Sequence, residues 1–336
     1  MFIKKVTFDN EPSIHNLAGK FMFRTTLLFL TLIFTGTVAL SQGCSDAGFC
    51  TMGAMKPDQP YNKKIALKLR SMEFSFYRGT TTLTPVIFVA TADLNFTLNS
   101  KNTFQVKLPY QAIEGRLANT SGLSDISLCF TRNIYTSDAF DLNLSIGSKI
   151  PTNNSDKSIN SLPLPMYYQT SLGTYDAIAG LSLINRKWLF ATGMQIPLNQ
   201  NNNQFVWSAW AGNDEETYIN RYNQAKDLLR GIDVMLRVER NFRFSKFNCS
   251  AGLLPIYRVK RDEFIKSGQA ANSIEERVSP QEGKGLALSA IATIGYNFNV
   301  QSGIKLLLGH KIVQRDINPD GLSRVFVSSF TYVYRF

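Results

Sequence analysis

The sequence predicts an all-β protein, a transmembrane antiparallel β-barrel of about 12 strands. Three observations carry this prediction: a recurrent apolar/polar alternation, a regular succession of short and long connections, and a row of aromatic residues at the C-terminus. The composition agrees, because 18% of the 336 residues are charged and 12% are aromatic, whereas soluble domains carry about 25% charged residues. The net charge of +11 is scattered, so a nucleic-acid partner is not expected.

Residues 1–41 are predicted to be an extended leader with a signal peptide. The apolar run Leu27–Leu40 follows a basic start, and Ala39 and Ser41 supply the small residues of a cleavage site. We place the cut after Ser41. Met22 is an alternative start, because the residues before it are polar. An uncleaved membrane anchor is a second interpretation, although the apolar run is short for a span.

Four cysteines follow the predicted cut. Cys44 and Cys50 lie in one short segment, and an exported protein permits a disulfide between them. Cys44 is also the acylation site of an alternative lipoprotein interpretation. Cys129 and Cys249 fall on opposite faces of the predicted wall and should not pair. Without a Cys-x-x-Cys spacing, and with few histidines, the sequence predicts no metal and no cofactor.

Period-2 alternation of apolar and polar residues marks strands with two different faces. A slip between Leu69 and Met72 predicts a β-bulge, and the one helical pattern, Asp214–Leu229, lies in a connection. The segments span residues 64–77, 86–98, 102–110, 123–134, 139–150, 175–185, 188–198, 230–242, 245–257, 285–299, 303–313 and 323–336.

The lengths of the connections favour a membrane barrel over a soluble sandwich. Connections after even-numbered segments are tight, whereas those after odd-numbered segments are mostly long, notably residues 151–174, 199–229 and 258–284. Outer-membrane barrels keep short turns and termini in the periplasm and long loops outside. We therefore expect residues 63–336 to form a barrel in the outer membrane of a Gram-negative bacterium. Its surroundings would be the lipid bilayer and lipopolysaccharide.

The C-terminal strand ends in alternating aromatic residues. Phe330, Tyr332, Tyr334 and Phe336 share one face, and Phe336 is the last residue. This pattern is typical of the assembly signal of outer-membrane barrels, so the barrel assembly machinery is an expected partner.

Short motifs resemble a known family. Leu108-Pro109-Tyr110 and Gly122-Leu123-Ser124-Asp125-Ile126 resemble its "LPY … GxGD" passage, with Ser124 where the family tends to have Gly. The segments 147–152 and 173–198 resemble its following strands. The family is the outer-membrane group named after meta-pathway phenol degradation, related to long-chain fatty-acid and aromatic-hydrocarbon channels. The resemblance implies a monomeric channel for small, often hydrophobic compounds, and the long loops do not share it.

If the apolar faces meet lipid, a set of charged residues faces the lumen. Two interpretations fit: charges that select solutes, and mutual salt bridges that fill a narrow barrel. The set has six acids and five bases, which argues against strong ion selectivity. Its members are Glu73, Asp93, Lys107, Asp125, Asp141, Lys149, Asp233, Arg237, Glu239, Lys246 and Lys305.

Residues 42–62 are small, irregular and unsuited to a strand. They form either a plug in the periplasmic mouth or a loose leader, and the family resemblance favours the plug. In the long loop 199–229, the aromatic residues Trp207, Trp210 and Tyr218 form a capture surface for apolar solutes, pack the loop over the barrel, or belong to the aromatic girdle at the membrane interface.

The function expected from these features is passive uptake of small, hydrophobic or aromatic solutes. An alternative is a structural or adhesive barrel whose loops bind partners. A lipid-modifying enzyme is a further alternative, which would pair His310 with Ser323. The alternation, however, puts His310 on the lipid face, so we expect no catalytic residues.

Overall fold

The computed structural model describes Thr51–Lys56 and residues 68–336 except 82 and 84. The predicted leader, the Met22 start and the Cys44–Cys50 pair lie outside these residues. Of the predicted segment 42–62, only Thr51–Lys56 is described.

A closed antiparallel barrel of 12 strands forms the body of the described residues. All the predicted strands are present, because each carries the apolar and polar faces that a barrel wall needs. With strands numbered in sequence order, the barrel strands are β1 (Lys68–Thr80), β2 (Val86–Thr97), β3 (Asn102–Glu114), β5 (Ile126–Thr136), β6 (Asp141–Ile150), β9 (Asp176–Ile184), β10 (Trp188–Pro197), β12 (Asp233–Arg243), β13 (Phe247–Arg258), β16 (Gly285–Asn297), β17 (Ser302–Val313) and β18 (Phe326–Arg335).

The remaining elements are short and lie in the loops or at the N-terminus. The predicted helix at Asp214–Leu229 is reduced to one turn, α1 (Glu216–Ile219). No helix in the described part of the chain has the length and apolar character to span a membrane.

The short strands are β4 (Asn119–Leu123), β7 (Ser158–Ile159), β8 (Leu162–Pro163), β11 (Lys226–Leu229), β14 (Glu263–Lys266) and β15 (Glu276–Val278). Single 3₁₀ turns occur at Gly53–Met55, Met166–Tyr168, Trp207–Trp210 and Gln281–Gly283.

Several irregularities interrupt the strand pairing of the wall, and two of them bear directly on the predicted strands. The register of β1 against β2 shifts between Leu69 and Ser71, which confirms the predicted bulge. The predicted strand 123–134 is divided into β4 and β5, both paired with β3. At this break the Ser124 amide still donates to the Pro109 carbonyl at 2.9 Å, so the wall stays hydrogen-bonded, as a membrane barrel requires.

The outer face of the barrel is apolar. Large side chains on it remain exposed, for example Phe76 (66%), Ile146 (60%) and Phe330 (47%). Tyr332 and Phe336 point the same way, and the Phe336 amide donates to the Arg70 carbonyl, which closes β18 onto β1. The polar face of each strand turns inward and is largely buried, which fits a barrel in lipid rather than in water.

The two rims of the barrel differ. One rim, the turn rim, carries the C-terminus and the tight turns, such as Asn99–Lys101 between β2 and β3. The other, the loop rim, carries residues 151–175 and 198–232, which we call the cap. The cap buries a core of aromatic side chains, including Tyr168, Phe205 and Tyr222. It crosses the opening, since Gln111 of β3 donates to the Gln169 carbonyl while the backbone at Tyr167 lies against Gly321.

Candidate functional site

The segment Thr51–Lys56 lies inside the barrel as a single 3₁₀ turn. Two lumen side chains hold its backbone: the Gly53 amide donates to Gln105 Oε1 at 2.8 Å, and the Ala54 amide donates to Ser145 Oγ at 2.6 Å. Gly53 has φ +48°, and a Cβ there would collide with side chains of β5 and β6. The turn therefore needs glycine at this position for two reasons: the positive φ, and the close approach of the wall side chains.

Two methionines of this segment fill one half of the lumen. Met52 and Met55 are fully buried, and they pack with Cys129, Ile178 and Met235 on the wall. Flexible thioether side chains suit such irregular gaps.

Met55 sits in a groove made by glycines. Gly180 of β9 and Gly193 of β10 are direct register partners, and a Cβ at Gly180 would lie 2.6 Å from Met55 Sδ. On the neighbouring β6, a Cβ at Gly147 would lie 3.2 Å from Met52 Cε. We call Gly147, Gly180 and Gly193 the glycine groove. Because glycines have no side chains, these three positions leave room for Met52 and Met55.

Lys56 ends the segment in an ion cluster on the opposite side of the lumen. Its Nζ lies 2.8 Å from Glu73 of β1 and 3.3 Å from Asp93 of β2. Asp93 also accepts two hydrogen bonds from Gln105 Nε2, and Lys305 of β17 approaches Glu73 at 4.0 Å. We call the contact of Lys56 with Glu73 and Asp93 the latch, because it ties the segment to the wall.

Two cavities meet at the latch. The lower cavity, about 580 Å³, reaches the turn Asn99–Lys101 at the turn rim. The upper cavity, about 170 Å³, lies toward the cap. Both are lined by Lys56, Glu73 and Lys305, so these three side chains form the constriction between them.

A second ion cluster, the rim network, lies at the loop rim beneath the cap. Arg258, at the end of β13, contacts Asp233 at 2.7 Å, Asp320 at 2.8 Å and Asp262 at 2.5 Å. Arg230 contacts Asp176 at 2.9 Å. Arg315 reaches Asp233 at 3.6 Å. All these side chains are almost completely removed from solvent, so the network joins β9, β12 and β13 to three loops through buried ion pairs.

Burial and neighbouring charge act in opposite directions in the rim network. Burial by itself would raise the pKa of Asp320, but Arg258, Arg315 and Arg230 hold that pKa well below its ordinary value. Burial raises the pKa of Asp262, and the nearby Asp320 carboxylate adds to the rise against the opposing effect of Arg258. The network thus keeps at least one carboxylate firmly ionised.

Most of the predicted lumen residues face inward, in several separate places. Glu73, Asp93, Lys107 and Lys305 lie around the latch, while Asp125 and Lys149 pair at 3.3 Å higher up. Asp141 lines the lower cavity, Asp233 belongs to the rim network, and Arg237 pairs with Glu239 at 3.3 Å.

The assignment of Lys246 to the lumen is wrong. Lys246 lies in the exposed turn between β12 and β13, because β13 begins only at Phe247. The predicted strand began two residues too early, so a turn residue was assigned to a face of the wall as if it lay in the strand.

The expectation of exposed capture rings in the long loop is also wrong. Trp210 is 3% exposed and donates its Nε1 hydrogen to the Pro163 carbonyl, and Tyr218 is 6% exposed with its hydroxyl 2.9 Å from that of Tyr222. Trp207 is half-buried against the same cluster. Burying several large rings stabilises the cap, and the loop-packing alternative is the one observed.

The remaining candidates fall on separate faces. His310 pairs in register with the outward residue Phe326, whereas Ser323 Oγ lies 3.4 Å from the inward Lys311 Nζ. They do not form a Ser-His pair. Cys129 and Cys249 are both free. Among the described residues, no three His, Cys, Asp or Glu side chains are arranged to hold a metal ion.

Sequence reasoning missed two groups of residues. Lys56 gave no signal, because it lies outside any strand and its partners are distant in sequence. The arginines of the rim network lie in loops or at a strand end, and Arg258 is one residue beyond the predicted end of its strand. If the predicted strand had been extended by one residue, its alternation would have placed Arg258 inward, opposite Asp233.

Comparison with solved structures agrees with this architecture. The protein superposes on the COG4313 outer membrane channel from Pseudomonas putida F1 with a TM-score of 0.58 and 12% identity, covering 83% of this chain and 99% of that one. The NanC porin gives 0.41 at 8% identity (81% and 99% covered) and the KdgM porin 0.40 at 5% (79% and 99%), values too low to support an argument. No protein-family model and no curated protein matches the sequence.

These findings define the protein by class. It is an all-β transmembrane barrel of 12 strands, and its fold is similar to that of an outer-membrane channel.

Proposed function

We propose that this protein is an outer-membrane channel for the passive passage of small solutes. The observation that carries the proposal is the pair of cavities along one side of the lumen, which meet at Lys56, Glu73 and Lys305. A barrel filled only for stability would pack this side as tightly as the side that holds Met52 and Met55. The leader, with cleavage after Ser41, would export the protein, and residues 42–62 would act as its plug.

The arrangement corresponds to a closed state with two barriers. The latch narrows the route between the cavities, and the cap covers the loop rim. Because the latch is a contact of side chains with water-accessible cavities on both sides, small movements of Lys56 suffice to widen it. The cap has a buried aromatic core and the rim network beneath it, so the first barrier is the easier one to move.

The substrates we propose are small hydrophobic or aromatic compounds. Support comes from the family resemblance and from the apolar side chains Tyr77, Val89 and Leu307 in the wall of the upper cavity. The name of the similar structure, an outer membrane channel, is consistent with the class of function. We further propose a monomer in a bilayer with lipopolysaccharide, oriented with the turn rim in the periplasm.

Liposome swelling tests the channel and its plug. Wild-type protein should admit phenyl glucoside faster than maltose, a polar disaccharide of broadly similar size, and removal of residues 42–62 should raise both rates severalfold. Protein-free liposomes are the control. If neither protein causes swelling above that control, the channel proposal fails and the structural-barrel alternative takes its place.

Assembly should depend on the aromatic C-terminus. Deleting Phe336, or replacing Tyr334 with Asp on the lipid face, should reduce the amount of folded barrel in the outer membrane. A charge facing lipid costs about 2–4 kcal/mol at the midplane and less near the interface, and Phe336 also closes β18 onto β1. Heat-modifiability on gels measures the folded fraction, with Lys187→Met in an exposed turn as control. Normal levels of both variants would contradict an assembly role.

A further inference from the structure

The upper cavity has two chemically different kinds of lining. Its apolar wall consists of Tyr77 and Val327, which belong to the buried aromatic core, and of Val89 and Leu307, which pack against that core. Its charged wall runs from the latch to the Asp125–Lys149 pair under the cap. The cavity therefore offers apolar and charged surface together.

The charged wall of this cavity holds more cations than anions. Its lysines are Lys56, Lys107, Lys149 and Lys305, against the carboxylates of Glu73, Asp93 and Asp125, so the sum is +4 − 3 = +1.

Each of the three carboxylates already has close donors. Glu73 contacts Lys56 at 2.8 Å. Asp93 accepts from Gln105, Asn95 and Lys56. Asp125 accepts from the Ser171 hydroxyl at 2.5 Å and from the Leu172 amide, with Lys149 at 3.3 Å. Their positions are thus fixed by contacts that do not involve Lys107.

Lys107 is the cation with no carboxylate partner. Its Nζ donates to Thr51 Oγ1 at 2.7 Å, and within the described part of the chain no carboxylate oxygen lies within 4 Å of it. An ammonium has three donors, so the described contacts leave two of its hydrogens for a ligand in the cavity. In an interior of low dielectric, a cation whose neighbouring carboxylates are already bonded to other donors attracts a further anion.

We propose that the upper cavity is a binding site for a small organic monoanion with an apolar body, such as an aromatic carboxylate. The carboxylate would accept from Lys107, and the apolar body would lie against Val89, Leu307 and Val327. A volume of about 170 Å³ equals about six water molecules at ~30 Å³ each. That space is enough for one aromatic ring with its carboxylate.

This inference rests on the proposed function and names the chemical class that the channel would favour. It predicts that ligands with both a negative charge and an apolar surface bind better than ligands with only one of the two. A purely hydrophobic passage would show no such preference. Benzoate carries both, benzamide is its neutral counterpart of nearly the same shape, and acetate has the charge without the ring.

Titration calorimetry on the purified full-length protein in detergent tests the site, with detergent alone as blank. Wild type should bind benzoate at least tenfold more tightly than benzamide or acetate. Lys107→Met should abolish the preference for benzoate over benzamide, and Lys107→Arg should restore most of it. Lys187→Met, in an exposed turn, should behave as wild type.

A second variant keeps the test independent of folding defects at Lys107. Val89→Phe fills space at the apolar wall without changing any charge, and it should weaken benzoate binding at least tenfold. Equal binding of benzoate and benzamide by wild type would overturn the inference, as would an equal loss in Lys107→Met and Lys187→Met.

Failure of this site and failure of the channel give different results. A barrel that passes solutes into liposomes but does not distinguish benzoate from benzamide refutes the site alone. A barrel that binds benzoate through Lys107 but passes no solute refutes the channel alone.

Discussion

The rim network and the latch are both buried ion clusters, yet they are built differently. At the rim, the cations are arginines, and Arg258 joins Asp233, Asp262 and Asp320, all of them buried. At the latch, the cations are lysines, and cavities of about 580 and 170 Å³ lie on either side.

The difference follows from the chemistry of the two side chains. A guanidinium presents a planar fork of donors that binds several carboxylates in fixed geometry, whereas an ammonium is a hydrated point charge on a flexible stem. The arginines therefore hold the rim in fixed geometry, and Arg230 joins the cap to Asp176 of β9. In the proposed channel, the lysines leave a contact that water and solutes can replace, so buried charge would both fix a rim and form a movable constriction.

Removing the central arginine of the rim should have the largest effect. Arg258→Ala leaves three carboxylates buried with fewer cations, and breaking a buried ion pair in this way costs about 3–5 kcal/mol. We expect the free energy of unfolding to fall by that amount in urea titrations of the detergent-solubilised barrel.

The matched control for Arg258 is an exposed pair at the same rim. Lys260 and Glu263 lie 3.9 Å apart with 53% and 35% of their side chains exposed, and such pairs contribute about 0–1 kcal/mol. If Arg258→Ala costs no more than Lys260→Ala, the rim network does not hold the cap.

Removing the lysine of the latch should have a smaller effect on stability. Lys56→Ala leaves Glu73 and Asp93 beside cavities that admit water, so the loss should be about 1 kcal/mol, the size of an ordinary hydrogen bond. The same urea titration measures it. A loss equal to that of Arg258→Ala would remove the distinction between a locked rim and a movable latch.

The wall of the barrel was predictable from sequence because its signal is local. Alternation needs only neighbouring residues, so the strands, their inward charges and even the bulge near Leu69 were predicted. The error at Lys246 has the same origin, since alternation does not mark where a strand begins.

The closure of the lumen was not predictable in the same way. The space that holds Met55 depends on glycines more than a hundred residues away in the sequence. From sequence alone, a glycine in a strand that makes room for another side chain cannot be told from one that allows a bend. The cap presents a similar problem, because an aromatic residue such as Trp210 in a long loop has the same sequence signature whether it is exposed or buried. Long-range packing decides both cases.

Single-channel conductance in planar bilayers tests the central claim most directly. The variant Gly180→Ala/Gly193→Ala fills the glycine groove, so Met55 can no longer occupy it. The control variant Gly295→Ala/Gly309→Ala adds the same atoms at positions where the nearest neighbours lie 3.5 Å away. Wild type should conduct, the groove variant should conduct at least twice as much, and the control pair should match wild type. Silence of all three barrels, or equal conductance of wild type and the groove variant, would contradict a channel closed by Thr51–Lys56.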